Sequence, residues 1–114
     1  MHDHIEIIES GYEFLLAYAA QGRESDDGSD TRTTLNGMSD AADAIITTLV
    51  DAEGEFSGVV VDDARKAGAA IRLVLGQDSI SSELVDNLNA SIHLRALLTD
   101  LFLLSETSNA DQSS

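Results

Sequence analysis

Apolar residues recur along the chain with the spacing of α-helices rather than the alternation of β-strands. Stretches with this spacing are separated by glycines and by clusters of serine and aspartate, and the sequence contains no proline. The periodicity predicts four helices, at about residues 3–21, 31–53, 59–75 and 80–105. Short connections between the last three favour antiparallel neighbours. The sequence therefore predicts an all-α fold, specifically an antiparallel up-down-up-down four-helix bundle that self-associates.

One bundle domain is predicted over residues 1–106, followed by the polar segment 107–114, "TSNADQSS". Such a segment has too little apolar surface to offset the entropy of folding, so it is predicted to be a disordered tail. The run "VVV" at Val59–Val61 would also suit a strand. The residues after it keep a helical period, and a helix is therefore predicted there.

The first helix and the end of the fourth have more apolar surface than contact with one core requires. In the first helix, Ile5, Ile8 and Leu15 form the bundle stripe, and a second apolar face adjoins it. Large apolar patches on a soluble protein usually mark interfaces, and two-fold homodimers are the commonest oligomers. We therefore expect a homodimer, or binding of another protein, through Ile7, Phe14, Tyr18, Leu94, Leu97, Leu101 and Leu104. The alternative is that both helices lie at the centre of the monomer.

The charge balance narrows the choice of partners. Twenty-one acidic residues face six lysines and arginines, for a formal net charge of −15. This excess repels nucleic-acid phosphates and anionic lipids, so neither direct nucleic-acid binding nor membrane binding is expected. The apolar runs are too short to span a bilayer, and no secretory leader is recognised, which favours the cytoplasm. An acidic, lysine-poor composition also suggests a halophilic source.

No pattern of chemically active residues predicts an enzyme or a cofactor. The sequence has no cysteine, which excludes disulfides, thiolate nucleophiles and cysteine metal sites. The amino-terminal "MHDH" lacks the fixed geometry of a functional metal site. The stretch "DAEGEFSGVVVD", residues 51–62, resembles a calcium loop in its acids but has Phe56 where that loop needs glycine.

His93 supports the main alternative function. The periodicity places it on the polar side of the fourth helix, as histidine phosphotransfer domains present their phosphoacceptor, so a phosphotransfer-like signalling protein is one alternative. Ala96 and Leu97 stand where those domains carry lysine and glycine. A second alternative is an acidic mimic of nucleic acid that binds a basic protein. The leading hypothesis is a non-enzymatic interaction protein, such as an adaptor, accessory subunit or regulator.

Overall fold

Five α-helices make up the fold in a computed structural model, which describes residues 1–113 and the side chains of residues 1–107. The helices are α1 (His2–Ala19), α2 (Thr31–Leu49), α3 (Glu55–Leu75), α4 (Ser82–Ala90) and α5 (Ile92–Ser113). No strand occurs in this part of the chain, and Val59–Val61 lies within α3. The predicted all-α class is confirmed, whereas the predicted number of four helices is not.

The predicted fourth helix is divided in two by Ser91. This residue is the C-cap of α4, and its extended backbone, with ψ of 140°, interrupts the helical hydrogen bonding. Its side-chain Oγ then accepts a hydrogen bond from the backbone N–H of Leu94 at 3.4 Å, near the start of α5. A serine hydroxyl can replace the missing backbone acceptor at a helix start, which is why serine favours such positions. α4 begins in the same way, because Ser81 Oγ accepts from Leu84 N–H at 3.0 Å.

The other boundaries differ from the prediction at the ends. α2 ends at Leu49 rather than near residue 53, and α3 begins at Glu55 rather than near residue 59, after a short turn. The turn itself ends at Gly54, whose φ of +107° is a backbone conformation that glycine adopts without strain. α5 extends beyond the predicted end of the fourth helix. The predicted disordered tail falls largely on residues 108–114, which lie outside the described side chains, so it stays a prediction.

The core is formed where α2 packs against both α1 and α3, α5 packs along α3, and α4 packs on α1. α1 and α2 pack tightly at Gly11, where an added Cβ would lie 2.5 Å from Cγ of the fully buried Met38. Only glycine fits this contact without displacement of Met38. The largest fully buried side chains of the core are Tyr18, Ile8, Leu15, Leu35, Met38, Ile45, Ile71, Ile80, Leu94, Leu97, Leu101 and Val60.

The acidic segment between α1 and α2 is fastened to the rest of the fold by Asp26. Its carboxylate accepts hydrogen bonds from Arg32 Nε at 3.1 Å and from the backbone N–H of Ile80 at 2.9 Å. Arg32, in the first turn of α2, also donates to the carbonyl oxygen of Leu75 at 2.8 Å. The hydrogen bond from Arg32, and then that from Ile80, holds the pKa of Asp26 below its usual value. One side chain thus links this loop, α2 and the connection that follows α3.

Candidate functional site

Most of the predicted interface residues lie in the chain's own core. Tyr18, Leu94, Leu97 and Leu101 are at most 1% exposed. Phe14 and Leu104 are partly buried and pack against the same core. Only Ile7, at 43%, retains a large exposed fraction. The predicted set of seven therefore does not form one exposed face in this fold.

The second apolar face of α1 has an explanation within the monomer, since α1 packs against both α2 and α4. Gly11 and Ile7 lie on the α2 side, where Ile7 approaches Gly37. The Tyr18 hydroxyl donates to the carbonyl oxygen of Ile80 at 2.6 Å, in the segment just before α4. A helix with packed neighbours on two sides needs a wide apolar arc. The tyrosines and Phe14 of α1 therefore do not require a partner molecule.

A different apolar surface remains exposed on α5. Ile92 is 74% exposed, Phe102 53% and Leu103 51%. We call the surface that contains them the outer face of α5; its members, all exposed, are Ile92, Arg95, Thr99, Phe102, Leu103 and Glu106. Three of these six outer residues are large and apolar, in addition to the apolar residues on the inner side of the helix. A helix that contacts solvent on one side ordinarily concentrates polar residues there.

The outer face of α5 is also poor in acidic residues. Between Asn87 and Ser105 the sequence has one acid, Asp100, and one arginine, Arg95. Their formal charges cancel, so the net charge of −15 is carried by the rest of the chain. Asp100 is only 7% exposed and belongs to the inner side of the helix. This segment is therefore nearly neutral on an otherwise strongly acidic molecule.

Two buried polar side chains on α4 and α5 have unsatisfied atoms. Neither the amide nitrogen nor the amide oxygen of Asn89 has a hydrogen-bond partner, and Oδ2 of Asp100 has none either. Asp63 of α3 adjoins Asp100. Burial, followed by hydrogen bonding and charge repulsion from Asp63, raises the pKa of Asp100 to about 7. Asp100 follows the buried Leu97 by three residues and directly precedes the buried Leu101. This spacing was the signal in the sequence that its side chain points inward.

A surface cleft of about 510 Å³ lies where α1 ends and α4 begins. Its lining includes the cation Arg23 and the acids Glu24, Glu83 and Asp86. The Arg23 guanidinium already donates to the carbonyl oxygens of Ser25 and Asp27 and lies over the Tyr18 ring, 5.6 Å from its centroid. With its cation engaged and three acids in the wall, the cleft has no charge complementary to an anionic ligand.

The histidines and the calcium-like stretch belong to different helices. His93 is exposed in the first turn of α5, and His2 is exposed at the start of α1. Residues 55–62 of the calcium-like stretch belong to α3 and so cannot form a loop around an ion. Among the described residues, no three His, Cys, Asp or Glu side chains are grouped as metal ligands. Within the same residues, no helix has the length and apolarity needed to cross a bilayer.

Comparisons of this chain with protein-family models, with curated proteins and with solved structures found no match.

Proposed function

We propose that this protein is a non-enzymatic interaction protein that binds through the outer face of α5, and that its partner is a second copy of the chain. The observation that carries the proposal is the exposure of Ile92, Phe102 and Leu103 on one helix of a highly charged protein. Each exposed large side chain gains roughly 25 cal/mol per Å² of apolar area that a partner removes from water. The adjacent exposed side chains of Phe102 and Leu103 form an apolar patch of the kind that is typical of an interaction site.

The charge distribution favours a second copy at this face. Two molecules with a net charge of −15 repel each other wherever their acidic surfaces meet. The repulsion is smallest where the surface is neutral, which is the outer face of α5. A two-fold contact would pair this surface with itself. Self-association is therefore least opposed at the place where the apolar residues are exposed.

The spacing of the outer face also suits pairing of two helices. Ile92, Arg95, Thr99, Phe102 and Glu106 follow one another at intervals of three and four residues, as in the seam of a coiled coil. In an antiparallel pair, Arg95 would face Glu106 of the second copy when Thr99 faces its Phe102. The arginine and glutamate then attract each other at both ends of the contact. Leu103 would cover one side of the apolar centre.

We further propose that the long helices alternate in direction, with α4 and α5 together in place of a single fourth helix. Support comes from α2 and α3, whose opposite ends are in contact. Arg32, at the start of α2, donates to Leu75 O at the end of α3, and Arg72 lies 3.8 Å from Asp43, further along α2. The absence of cysteine fits the reducing cytoplasm, where we place the protein.

The test is sedimentation velocity on the wild type and on the double variant Phe102→Glu, Leu103→Glu at high salt. Both side chains are exposed, so their replacement leaves the core intact, unlike replacement of the buried Leu101. Leu73→Glu is the matched control, because Leu73 is 70% exposed on α3, outside the outer face of α5. We expect the wild type and the control to be dimeric and the double variant to be monomeric with unchanged helicity. A monomeric wild type, or a double variant as dimeric as the wild type, would contradict the proposal.

A further inference from the structure

Asp100 of α5 lies in the contact between α5 and α3. It is 7% exposed, and its Oδ2 is enclosed without a hydrogen-bond partner in the described part of the chain. Asp63 of α3 carries a second carboxyl group, which acts on that of Asp100 through a hydrogen bond and through its charge. A buried carboxyl group is therefore placed against another carboxyl group.

Among the residues whose side chains the structure describes, Asp63 is the charged group that acts on Asp100, and no lysine or arginine does so. Lys66, one turn after Asp63 on α3, is held by Asp62 at 3.1 Å on the exposed side of the helix. On α5 itself, the residues three and four positions away from Asp100 are all uncharged: Ala96, Leu97, Leu103 and Leu104.

The remaining helices that contact α5 add no compensating charge. The buried face of α4 has no ionisable residue, and that of α1 has only Tyr18, whose hydroxyl is bonded to Ile80 O. α1 also carries the half-buried His4. Of all these groups, Asp63 is the one that acts on the Asp100 carboxyl group.

Asp63 is half-buried, so its carboxyl group is only partly hydrated. The buried Asp100 carboxyl group beside it, without a cation, cannot be ionised at the same time at low energetic cost. One proton makes the pair stable, because the protonated group donates a hydrogen bond to the other. Consistent with this, burial and the Asp63 contact raise the pKa of Asp100 from 3.8 to about 7.

We propose that Asp63 and Asp100 form a proton-dependent latch that holds α5 on α3. The latch is closed while the two carboxyl groups share one proton. It loosens when that proton passes to water, because two like charges then face each other in a buried contact. Since α5 also carries the proposed interaction surface, the latch would control how firmly that surface is held.

The direction of the pH dependence follows from the two states of Asp100. When α5 detaches, Asp100 enters water, where its ordinary pKa is 3.8, whereas the attached state has a value of about 7. Between these values the attached state binds the extra proton, so detachment becomes about tenfold more favourable per pH unit. The total change is on the order of 10³ over this range, and detachment is independent of pH above it.

The test is hydrogen exchange of the α5 backbone amides from pH 5 to 8.5, corrected for the intrinsic exchange rate. It is carried out on the full chain at low salt and low concentration, and repeated with Phe102→Glu, Leu103→Glu so that self-association does not protect the helix. We expect α5 protection in the wild type to fall about tenfold per pH unit up to pH 7 and then level off. In Asp100→Asn, the amide donates to Asp63 without a charge, so protection should be high and independent of pH. Asp86→Asn, at an exposed acid of α4, should behave as the wild type.

Direct titration of the Asp100 carboxyl carbon by NMR gives a second readout that does not depend on any variant. A titration midpoint near 7 supports the latch, and a midpoint near 4 overturns it. Identical pH profiles for the wild type and Asp100→Asn also overturn it. If added sodium or calcium ions restore α5 protection at pH 8, a bound cation rather than a proton closes the contact, and the proposal is wrong.

Discussion

Removal of the Asp26 side chain should test whether the loop between α1 and α2 holds the fold together. Asp26→Ala eliminates the acceptor of both the Arg32 Nε bond, at 3.1 Å, and the Ile80 backbone N–H bond, at 2.9 Å. The residue is well shielded, with 11% of its side chain exposed. These bonds therefore form in a place where water can replace them only poorly.

The magnitude follows from what each donor retains. Ile80 is fully buried, so its N–H is left unsatisfied, which costs about 1–3 kcal/mol. Arg32 keeps the carbonyl oxygens of Leu75 at 2.8 Å and Gln77 at 3.0 Å. The loss of the Arg32–Asp26 bond therefore lowers the free energy of unfolding by less, about 1 kcal/mol, as for a partly exposed charged pair. We expect Asp26→Ala to lower the free energy of unfolding by about 2–4 kcal/mol.

Urea denaturation at pH 7, followed by circular dichroism, measures this change. Asp26→Asn should lower the free energy of unfolding by less than Asp26→Ala, because the asparagine side-chain oxygen still accepts from Ile80 N–H although the charge is gone. Asp27→Ala is the control: this neighbouring acid is exposed, and its replacement should change stability by less than about 0.5 kcal/mol. If Asp26→Ala is no less stable than Asp27→Ala, the loop does not fasten the fold in the way the hydrogen bonds indicate.

The same bonds predict that the free energy of unfolding decreases at acidic pH. Because the folded state lowers the pKa of Asp26 below 3.8, its contribution is complete above pH 4 and is lost as the pH falls through the lowered value. Wild-type stability should therefore fall more steeply below pH 4 than that of Asp26→Asn. Parallel curves for the two proteins would be inconsistent with a charge-dependent bond.

Two further predictions concern Tyr18 and salt. Tyr18→Phe should lower the free energy of unfolding by about 1–3 kcal/mol in the same urea assay, because the buried Ile80 carbonyl oxygen loses its donor at 2.6 Å. Tyr12→Phe, at the half-buried tyrosine of α1, is the control. Between about 0.05 and 1 M, sodium chloride should raise both the melting temperature and the dimer fraction. The salt screens the repulsion that arises from the net charge of −15, and it does not weaken an apolar contact. Dissociation of the dimer by added salt would instead indicate an interface built on ion pairs.

The helical period of the apolar residues predicted α1, α2 and α3. The residues that recur with this period in each of these helices are the ones that pack in the core. The break at Ser91 was not predicted. A serine within a helical pattern is compatible with either a continuous helix or a cap, and what separates the two is a single bond from Leu94 N–H. The helix predicted over residues 80–105 is continuous, whereas the extended backbone of Ser91 separates α4 from α5.

Burial was harder to predict than secondary structure. An apolar arc on a helix shows that several surfaces are covered, but not whether the cover comes from the same chain or from another molecule. Tyr18 and Leu97 are buried by other parts of the same chain. This burial depends on contacts between residues that are far apart in sequence. Phe102 and Leu103 occur in the same apolar run and remain exposed. Sequence spacing alone does not separate these two groups.

The opposite pKa shifts of Asp26 and Asp100 place the expected optimum of stability at an unusually acidic pH. Above about pH 4, the cost of ionising buried Asp100 grows until its raised value of about 7 is passed. Below about pH 4, Asp26 becomes protonated and the bonds that its carboxylate accepts are lost. Self-repulsion acts in the same direction as Asp100, because the net charge becomes less negative as carboxylates are protonated. Stability should therefore be greatest near pH 4 to 5, below the range of pH 5 to 8 that is usual for proteins, and attachment of α5 and contact between its outer faces should both be favoured there.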